Sequence, residues 1–323
     1  MKVFIQPVSK SNDINPVVKA GILNHFQCVG SVNEADVVLV PISSIEPFQL
    51  HDNLKNIRKP YVLVDFLEYG SSWDHINRQE THLFGKNTNS YNCTKSKSGF
   101  VELDAFVKAR PPLVYFKREL LDSEVSESLK PVEFTCLLPL KPIVSKSEFD
   151  SRRIEVFYCW GLSSCSRPAL HGEIFKQMCP KGYGVISHWD QFDGYFKDKR
   201  NKTWVSIYSP HYVRVPIQKI VDIQSQSKIT VSMFGNGVKC FRTTECVGAV
   251  LAMPYDNLAW GIPWNHMDNC VRLDSKNEHE SLCSALNSND LYDVYRRSQE
   301  TLQKYVGSSY VKNYMIPTIK EKL

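Results

Sequence analysis

The sequence predicts an α/β protein with two Rossmann-like, doubly wound domains that face each other across a cleft. Three observations lead to this fold class. Short apolar runs rich in β-branched residues recur at 36–41, 61–66 and 229–233, as expected for parallel strands buried on both faces. Each half of the chain begins with a strand, a polar turn and a helix. The length of 323 residues also exceeds that of one ordinary domain of roughly 150 residues.

The first half supplies four predicted strands. Pro16 opens the first helix, because its fixed φ suits the first helical position, and this helix is predicted to end near Phe26. The runs at 36–41 and 61–66 are bounded by Pro or polar residues, so they are predicted as central strands of a parallel sheet. The other predicted elements of this half are strands at 2–7 and 113–116 and crossover segments at 53–58 and 103–108.

The second half repeats the alternation of strands and helices. It begins with a strand at 154–158, followed by a small polar turn at 161–166. Further strands are predicted at 185–187, 204–208, 229–233 and 251–254. Helices are predicted at 168–178, 217–225, 281–286, 291–305 and 310–322.

These elements define the expected domains. Residues 1–125 form an N-terminal α/β domain, and residues 151–300 form a C-terminal α/β domain. The stretch between them contains prolines and little hydrophobic pattern, so residues 126–150 are predicted to be the linker. Residues 301–323 are predicted to be a helical end that crosses back to the first domain.

Composition restricts the class of protein. The apolar fraction of 42% and charged fraction of 23% are typical of a soluble globular protein, and no apolar run approaches the ~20 residues of a membrane helix. The first apolar segment is too short for a secretory signal, so we expect a cytoplasmic protein, in the host cytoplasm if the source is a virus. The ten cysteines include no CxxC pair, which favours reduced thiols over disulfides or zinc. A net charge of +5 permits a nucleotide, nucleic acid or acidic polymer as partner.

One stretch, residues 227–256, contains the main candidate for a ligand site; it reads SKITVSMFGNGVKCFRTTECVGAVLAMPYD. Gly235 and Gly237 follow the strand and form a sharp turn with no Cβ to hold a ligand away. The residues Arg242, Thr243, Thr244 and Glu245 are predicted to begin a helix, whose free N–H groups favour an anion. The spacing fits a phosphate-binding βαβ unit with Glu245 on a ribose, and it also fits an ordinary capped helix start.

This stretch resembles the donor-binding segment of exostosin-like and related glycosyltransferases of the two-domain GT-B fold. The resemblance rests on the Gly-x-Gly at 235–237, the Arg-x-x-Glu at 242–245 and the later Pro254. The runs at 36–41 and 61–65 also resemble strands of that family's acceptor domain. Two positions depart from the pattern: Pro254 falls nine residues after Glu245, where about eight are expected, and Gly248 precedes the small residues.

The resemblance implies a glycosyltransferase, specifically a hexosyl- or pentosyltransferase. A nucleotide-sugar donor would bind the C-terminal domain, and the acceptor, a glycan or a hydroxymethylated base in DNA, would bind the N-terminal domain. No cofactor is expected. Two alternatives stay open: a nucleotide-sugar epimerase of the same fold, and a non-catalytic module that binds glycan or nucleic acid. The sequence makes no prediction about oligomeric state.

Transfer of a sugar requires stabilisation of the departing nucleotide diphosphate. No DxD triplet is present to hold a metal, so this charge is assigned to cations and helix N-termini. Candidates are Lys239 and Arg242 at the glycine loop, Lys117 and Arg118 after the strand at 113–116, Ser163 and Arg167 in the turn at 161–167, and His211. Solvated loop ends, ordinary surface charges and a structural histidine are the alternative interpretations.

The acceptor hydroxyl needs a base when the reaction inverts the sugar configuration. Asp65 is the first candidate, because VLVDFLEYG places it at the carboxyl end of a buried strand. Glu68, three residues later, is the second candidate. Either carboxylate could instead cap the segment that follows the strand.

Overall fold

A computed structural model describes residues 1–6, 16–42, 54–65, 106–118, 120, 122–133, 135, 140–161, 182–187, 217–232, 243–254, 258–274 and 277–323. Its strands form two separate sheets, and every pairing between neighbouring strands is parallel. Helices accompany both sheets. The α/β class predicted from the sequence is confirmed.

Among the described residues, the first sheet has six strands in the order β2-β1-β3-β4-β5-β6. Their ranges are Lys2–Ile5 (β1), Gln27–Cys28 (β2), Val37–Ile42 (β3), Tyr61–Asp65 (β4), Val114–Lys117 (β5) and Leu129–Pro131 (β6). The four strands predicted from apolar runs are all present, with ends shifted by one or two residues. The strand β6 lies in the stretch predicted as linker, so the first sheet extends beyond residue 125.

In the part of the chain that the structure describes, the second sheet has five strands in the order β11-β10-β9-β7-β8. Their ranges are Ile154–Gly161 (β7), Gly182–Ser187 (β8), Ser227–Val231 (β9), Val250–Pro254 (β10) and Val271–Leu273 (β11). The predicted strand at 204–208 and the predicted helix at 168–178 lie outside the described residues. The short strand β11 was not predicted.

The helices are Pro16–His25 (α1), Lys146–Asp150 (α2), Ile217–Ser225 (α3), Glu278–Leu286 (α4), Leu291–Tyr305 (α5), Ser308–Tyr310 (α6) and Ile316–Lys320 (α7). Val311–Met315, between the last two, is a π-helix. Short 3₁₀ turns occur at Val32–Glu34 and Asp122–Glu124, and residues 54–55 and 106–109 are helical. None of the described helices is long and apolar enough to cross a membrane.

The first sheet is covered on both faces, as its continuous apolar strands predict. Alternate residues of β3, β4 and β5 point to opposite faces because side chains in a strand alternate with a period of two. On one face Leu39, Val64 and Phe116 join a core with α1. On the other face Leu63 and Tyr115 join a second core with residues 54–57 and 107.

The C-terminal helical segment contacts the first domain. Val311, Met315 and Ile319 belong to the same core as α1 and one face of the first sheet. The Tyr314 hydroxyl donates a hydrogen bond of 2.9 Å to the carbonyl of Pro131 at the end of β6. Because this core also contains Leu251 and Met253 of β10, it joins the two sheets.

Arg152 connects three segments at the amino ends of the strands in the second sheet. Its guanidinium donates hydrogen bonds of 2.7 Å to the Ser227 carbonyl and 2.6 Å to the Gly248 carbonyl. It also lies over the rings of Phe149 and Tyr295, at 4.8 Å from each centroid. Burial lowers the pKa of Arg152 from its usual value, although a guanidinium stays charged at neutral pH. The cation therefore satisfies two carbonyls next to β9 and β10.

We expect Arg152→Met to reduce the free energy of unfolding by about 3 kcal/mol, because two carbonyls lose a charged donor. Arg153→Met is the matched control: Arg153 is the next residue and is exposed, so its replacement should change stability by less than about 0.5 kcal/mol. Urea denaturation of both variants measures the difference. Equal stability of the two variants would show that the contacts of Arg152 contribute nothing.

Candidate functional site

The order of strands in the second sheet identifies where a ligand can bind. Counted within the domain, the order is 2-1-3-4-5, and the chain leaves β7 toward β8 on one side and β9 toward β10 on the other. In such sheets ligands bind outside the carboxyl ends of the two strands at which the direction reverses. Gly161 ends β7 and Val231 ends β9, so these two residues flank this switch point.

Both glycine-containing turns predicted to bind phosphate follow these two strands. The turn at 161–167 begins at the end of β7, and the loop with Gly235 and Gly237 follows β9. The predicted donor-binding residues Ser163, Arg167, His211, Gly235, Gly237, Lys239 and Arg242 lie outside the described part of the chain. Their assignment stays a prediction that the position of the switch point supports.

The helix predicted to begin at Arg242 is not present at residues 244–249. Thr243 has 3₁₀ geometry, and the following residues form turns and coil before β10 begins. At Gly248 the φ of 88° is also outside the helical range. These residues therefore provide no helix dipole to bind an anion.

Hydrogen bonds hold both the N–H and the carbonyl of Gly248. Its N–H donates 2.7 Å to Oε1 of Gln299, whose Nε2 donates 2.8 Å to the Ala249 carbonyl. Its own carbonyl accepts from Arg152. A Cβ at this position would lie 3.2 Å from the Cα of Ser225. The departure of Gly248 from the family pattern thus corresponds to a constrained turn that leads into β10.

The side chains just before this turn differ in exposure. Thr243 and Thr244 are buried, whereas Glu245 is partly exposed. Of the predicted donor contacts that the structure describes in this stretch, Glu245 is the one that is partly exposed. Its assignment to a ribose stays a prediction.

In the first domain, Asp65 forms a buried ion pair with Lys117. The register pairs Asp65 of β4 with Lys117 of β5, and the Lys117 Nζ lies 2.7 Å from Asp65 Oδ2. The Tyr115 hydroxyl donates 2.9 Å to the same oxygen. Tyr115 and Lys117 share one face of β5, because they are two residues apart in a strand. Tyr115 was not predicted from the sequence, although a residue two positions before Lys117 in a strand is expected on the same face.

Burial excludes the interpretation of Lys117 and Arg118 as ordinary surface charges. Their exposed fractions are 2% each, and that of Asp65 is 0%. Glu133, two residues after β6, is also buried. Carboxylates and cations are rarely buried without a partner, and buried charges concentrate at functional sites. The carboxyl ends of β4, β5 and β6 therefore form a candidate acceptor-side site.

A segment of the second domain reaches this edge. Residues 258–264 follow β10, and the N–H of Ala259 donates 2.8 Å to the Leu120 carbonyl. The N–H of Gly261 donates 2.8 Å to Oε1 of Glu133. Leu120 follows β5 and Glu133 follows β6. The contact therefore brings together the carboxyl ends of strands from both sheets, as a cleft between two facing domains requires.

Two further site predictions are not tested by these contacts. Glu68, the second candidate base, lies outside the described residues. Within the residues that are described, no group of three or more His, Cys, Asp and Glu side chains is arranged to hold a metal ion. Metal-independent transfer stays a prediction from the sequence.

Comparison with known proteins identifies the fold. No protein-family model and no curated protein matches the sequence. Two solved structures reach a TM-score of 0.52. A glycosyltransferase from Rickettsia africae ESF-5 is 9% identical, with 99% of this chain and 98% of that chain covered. TarM is 8% identical, with 88% of this chain and 54% of that chain covered, so this chain spans about half the length of TarM.

A UDP-GlcNAc 2-epimerase from Neisseria meningitidis bound to UDP-GlcNAc has a lower TM-score of 0.46, at 13% identity and with 99% and 100% of the two chains covered. At these identities the comparisons establish the fold alone. The prediction of two Rossmann-like domains in the GT-B arrangement is confirmed. The resemblance to exostosin-like proteins in particular stays a prediction.

We expect Lys117→Met to lower the free energy of unfolding by about 3–5 kcal/mol, because it leaves the Asp65 carboxylate buried without its cation. The double variant Asp65→Asn/Lys117→Met should recover most of this loss, since the asparagine is neutral and can still accept from Tyr115. Urea denaturation of the single and double variants gives the coupling. A double variant no more stable than Lys117→Met would contradict a buried ion pair.

Proposed function

We propose that this chain is a glycosyltransferase that moves a sugar from a nucleotide-sugar donor to an acceptor hydroxyl. The donor binds the second domain, and the acceptor binds the first. One observation carries the proposal: the two predicted phosphate-binding turns leave the adjacent strands β7 and β9, on either side of the switch point of the second sheet. The GT-B fold shared with a known glycosyltransferase supports it.

On the donor side, the nucleotide diphosphate is held by turn N–H groups and cations. Gly235 and Gly237 allow the backbone to approach the phosphate oxygens closely. Lys239, Arg242 and Arg167 neutralise the charge that develops on the leaving diphosphate. The partly exposed Glu245 accepts hydrogen bonds from the ribose hydroxyls. Cations and turn N–H groups thus bind the diphosphate, which the sequence analysis had assigned in part to a helix N-terminus.

On the acceptor side, Asp65 is the base. Lys117 lies 2.7 Å from its carboxylate and Tyr115 donates to it, and both interactions hold the carboxylate in position. An ionised carboxylate can accept the proton of the acceptor hydroxyl as the new bond to the sugar forms and the bond to the diphosphate breaks. Lys117 thereby acts on Asp65 and not on the donor. Closure of the two domains excludes water from the reacting sugar.

The acceptor is proposed to be a glycan or a hydroxymethylated base in DNA. A net charge of +5 is compatible with either class. Incubation of the protein with donor and each acceptor class, followed by mass analysis of the acceptor, distinguishes them. The anomeric configuration of the product tests the base, because a direct displacement assisted by Asp65 inverts it.

A thermal-shift screen over UDP-, GDP-, ADP- and CMP-linked sugars tests donor binding. We expect the sugars linked to one of these nucleotides to raise the Tm. A ligand present at 100 times its Kd stabilises the folded state by about 2.7 kcal/mol. Glu245→Gln should abolish most of this shift. The control is Glu300→Gln, an exposed carboxylate on α5, which should leave the shift unchanged.

Three results would contradict the proposal. Absence of stabilisation by every donor would exclude a nucleotide-sugar site. Conversion of the donor's sugar without an acceptor would indicate an epimerase. Retention of glycan or DNA binding in Glu245→Gln, without release of nucleotide diphosphate from any donor, would indicate a binding module.

A further inference from the structure

Glu133 occupies a junction of three parts of the chain. It follows β6 of the first sheet, and its side chain is 1% exposed. Its carboxylate accepts the N–H of Gly261, from the segment that follows β10. Its own backbone N–H donates 3.1 Å to the Tyr310 hydroxyl of the C-terminal helical segment. One residue therefore joins the first domain, the second domain and the C-terminal segment.

The opposite partner, Gly261, has no room for a side chain. A Cβ there would lie 2.5 Å from the Tyr310 hydroxyl oxygen and 3.4 Å from the Pro131 carbonyl oxygen. The absence of a Cβ allows the backbone of the second domain to approach the end of β6. The position of Gly261 relative to Glu133 is consequently narrowly defined.

The phenols of Tyr310 and Tyr314, both largely buried, lie near Glu133. Burial raises the pKa of the Tyr310 phenol well above its usual range, and the neighbouring Tyr314 and Glu133 raise it further. Burial and the Glu133 charge likewise raise the pKa of Tyr314. Both phenols therefore stay protonated at neutral pH. A carboxylate buried here is costly unless it is hydrogen-bonded, and the Gly261 N–H is one of its partners.

The junction lies close in sequence and topology to both halves of the proposed site. Residue 261 follows the carboxyl end of β10, and β10 pairs in parallel with β9, whose carboxyl end leads into the glycine loop assigned to the donor. On the other side, β6 pairs with β5, which contains Lys117, and β5 pairs with β4, which contains Asp65. A shift of Gly261 away from Glu133 would move donor-side groups relative to the acceptor-side base.

We propose that Glu133 is a positioning residue for the transfer reaction: it fixes the second domain against the strand edge that presents Asp65. This inference rests on the proposed function. It predicts that Glu133 affects the transfer step and the acceptor KM, and that donor binding within the second domain does not depend on it.

The test compares Glu133→Ala, Glu133→Gln and Glu127→Ala. We expect Glu133→Ala to lower kcat by about 100-fold, the scale for a misplacement of about 1 Å, while the donor-induced rise in Tm is retained. Glu133→Gln should recover at least part of this loss, because its amide oxygen can accept from Gly261. Glu127 is the matched control, since its carboxylate is 92% exposed and pairs only at the surface with Lys322 among the described contacts.

Hydrogen exchange at the Gly261 amide provides a readout independent of activity. Protection should be lost in Glu133→Ala and retained in Glu133→Gln. Equal loss of donor binding and kcat in Glu133→Ala, or unchanged kcat, would overturn the positioning role. If the wild-type chain releases no nucleotide diphosphate from any donor, the proposed function fails and the positioning role fails with it, even where exchange confirms the contact.

Discussion

The pairing of Asp65 with Lys117 is the interaction on which the candidate site depends. Parallel strands β4 and β5 are buried on both faces, so any charge at their carboxyl ends must find a partner within the protein. The register supplies that partner directly, and Tyr115 adds a donor from the same face of β5. Lys117 and Tyr115 hold the buried carboxylate in a defined position. The oxygen that accepts from Lys117 and Tyr115 thus belongs to the carboxylate proposed as the base.

In the second domain, buried polar contacts stabilise the amino ends of the strands. The turn into β10 passes through a left-handed glycine, and its polar groups are satisfied by Arg152 and Gln299. Because Arg152 precedes β7 and Gln299 belongs to α5, the turn is held by elements distant in sequence. The amino ends of the strands are therefore fixed, and the carboxyl ends adjoin the region assigned to the donor. This division between a stabilising and a binding edge is common in parallel sheets.

Much of the fold could be predicted from the sequence because its strands are long apolar runs. The strands β3, β4 and β10 contain four or more consecutive apolar residues, and the helices Ile217–Ser225 and Leu291–Tyr305 were predicted with the observed ends. Strand β6 was missed because it is short, lies at the edge of the sheet and contains Pro131, a residue that edge strands tolerate. The helix predicted to begin at Arg242 was wrong for residues 244–249, where the chain forms turns that end at a glycine of positive φ. The burial of Lys117, Arg118 and Glu133 depends on contacts between residues distant in sequence, so it could not be predicted from local pattern. Lys117 and Arg118 were still candidates because they follow a predicted strand. Glu133 follows no predicted strand and was not identified.

The π-helix at Val311–Met315 lies between two α-helical turns that both contribute to the shared core. A π turn contains one residue more than an α turn, and it sets the rotation of everything that follows. Removing that residue would rotate Ile319 by roughly 100° about the helix axis, away from the core it now fills. The number of residues in this segment is therefore a tighter constraint than the identity of its apolar side chains: a residue gained or lost would turn the end of the chain away from the domain that it covers.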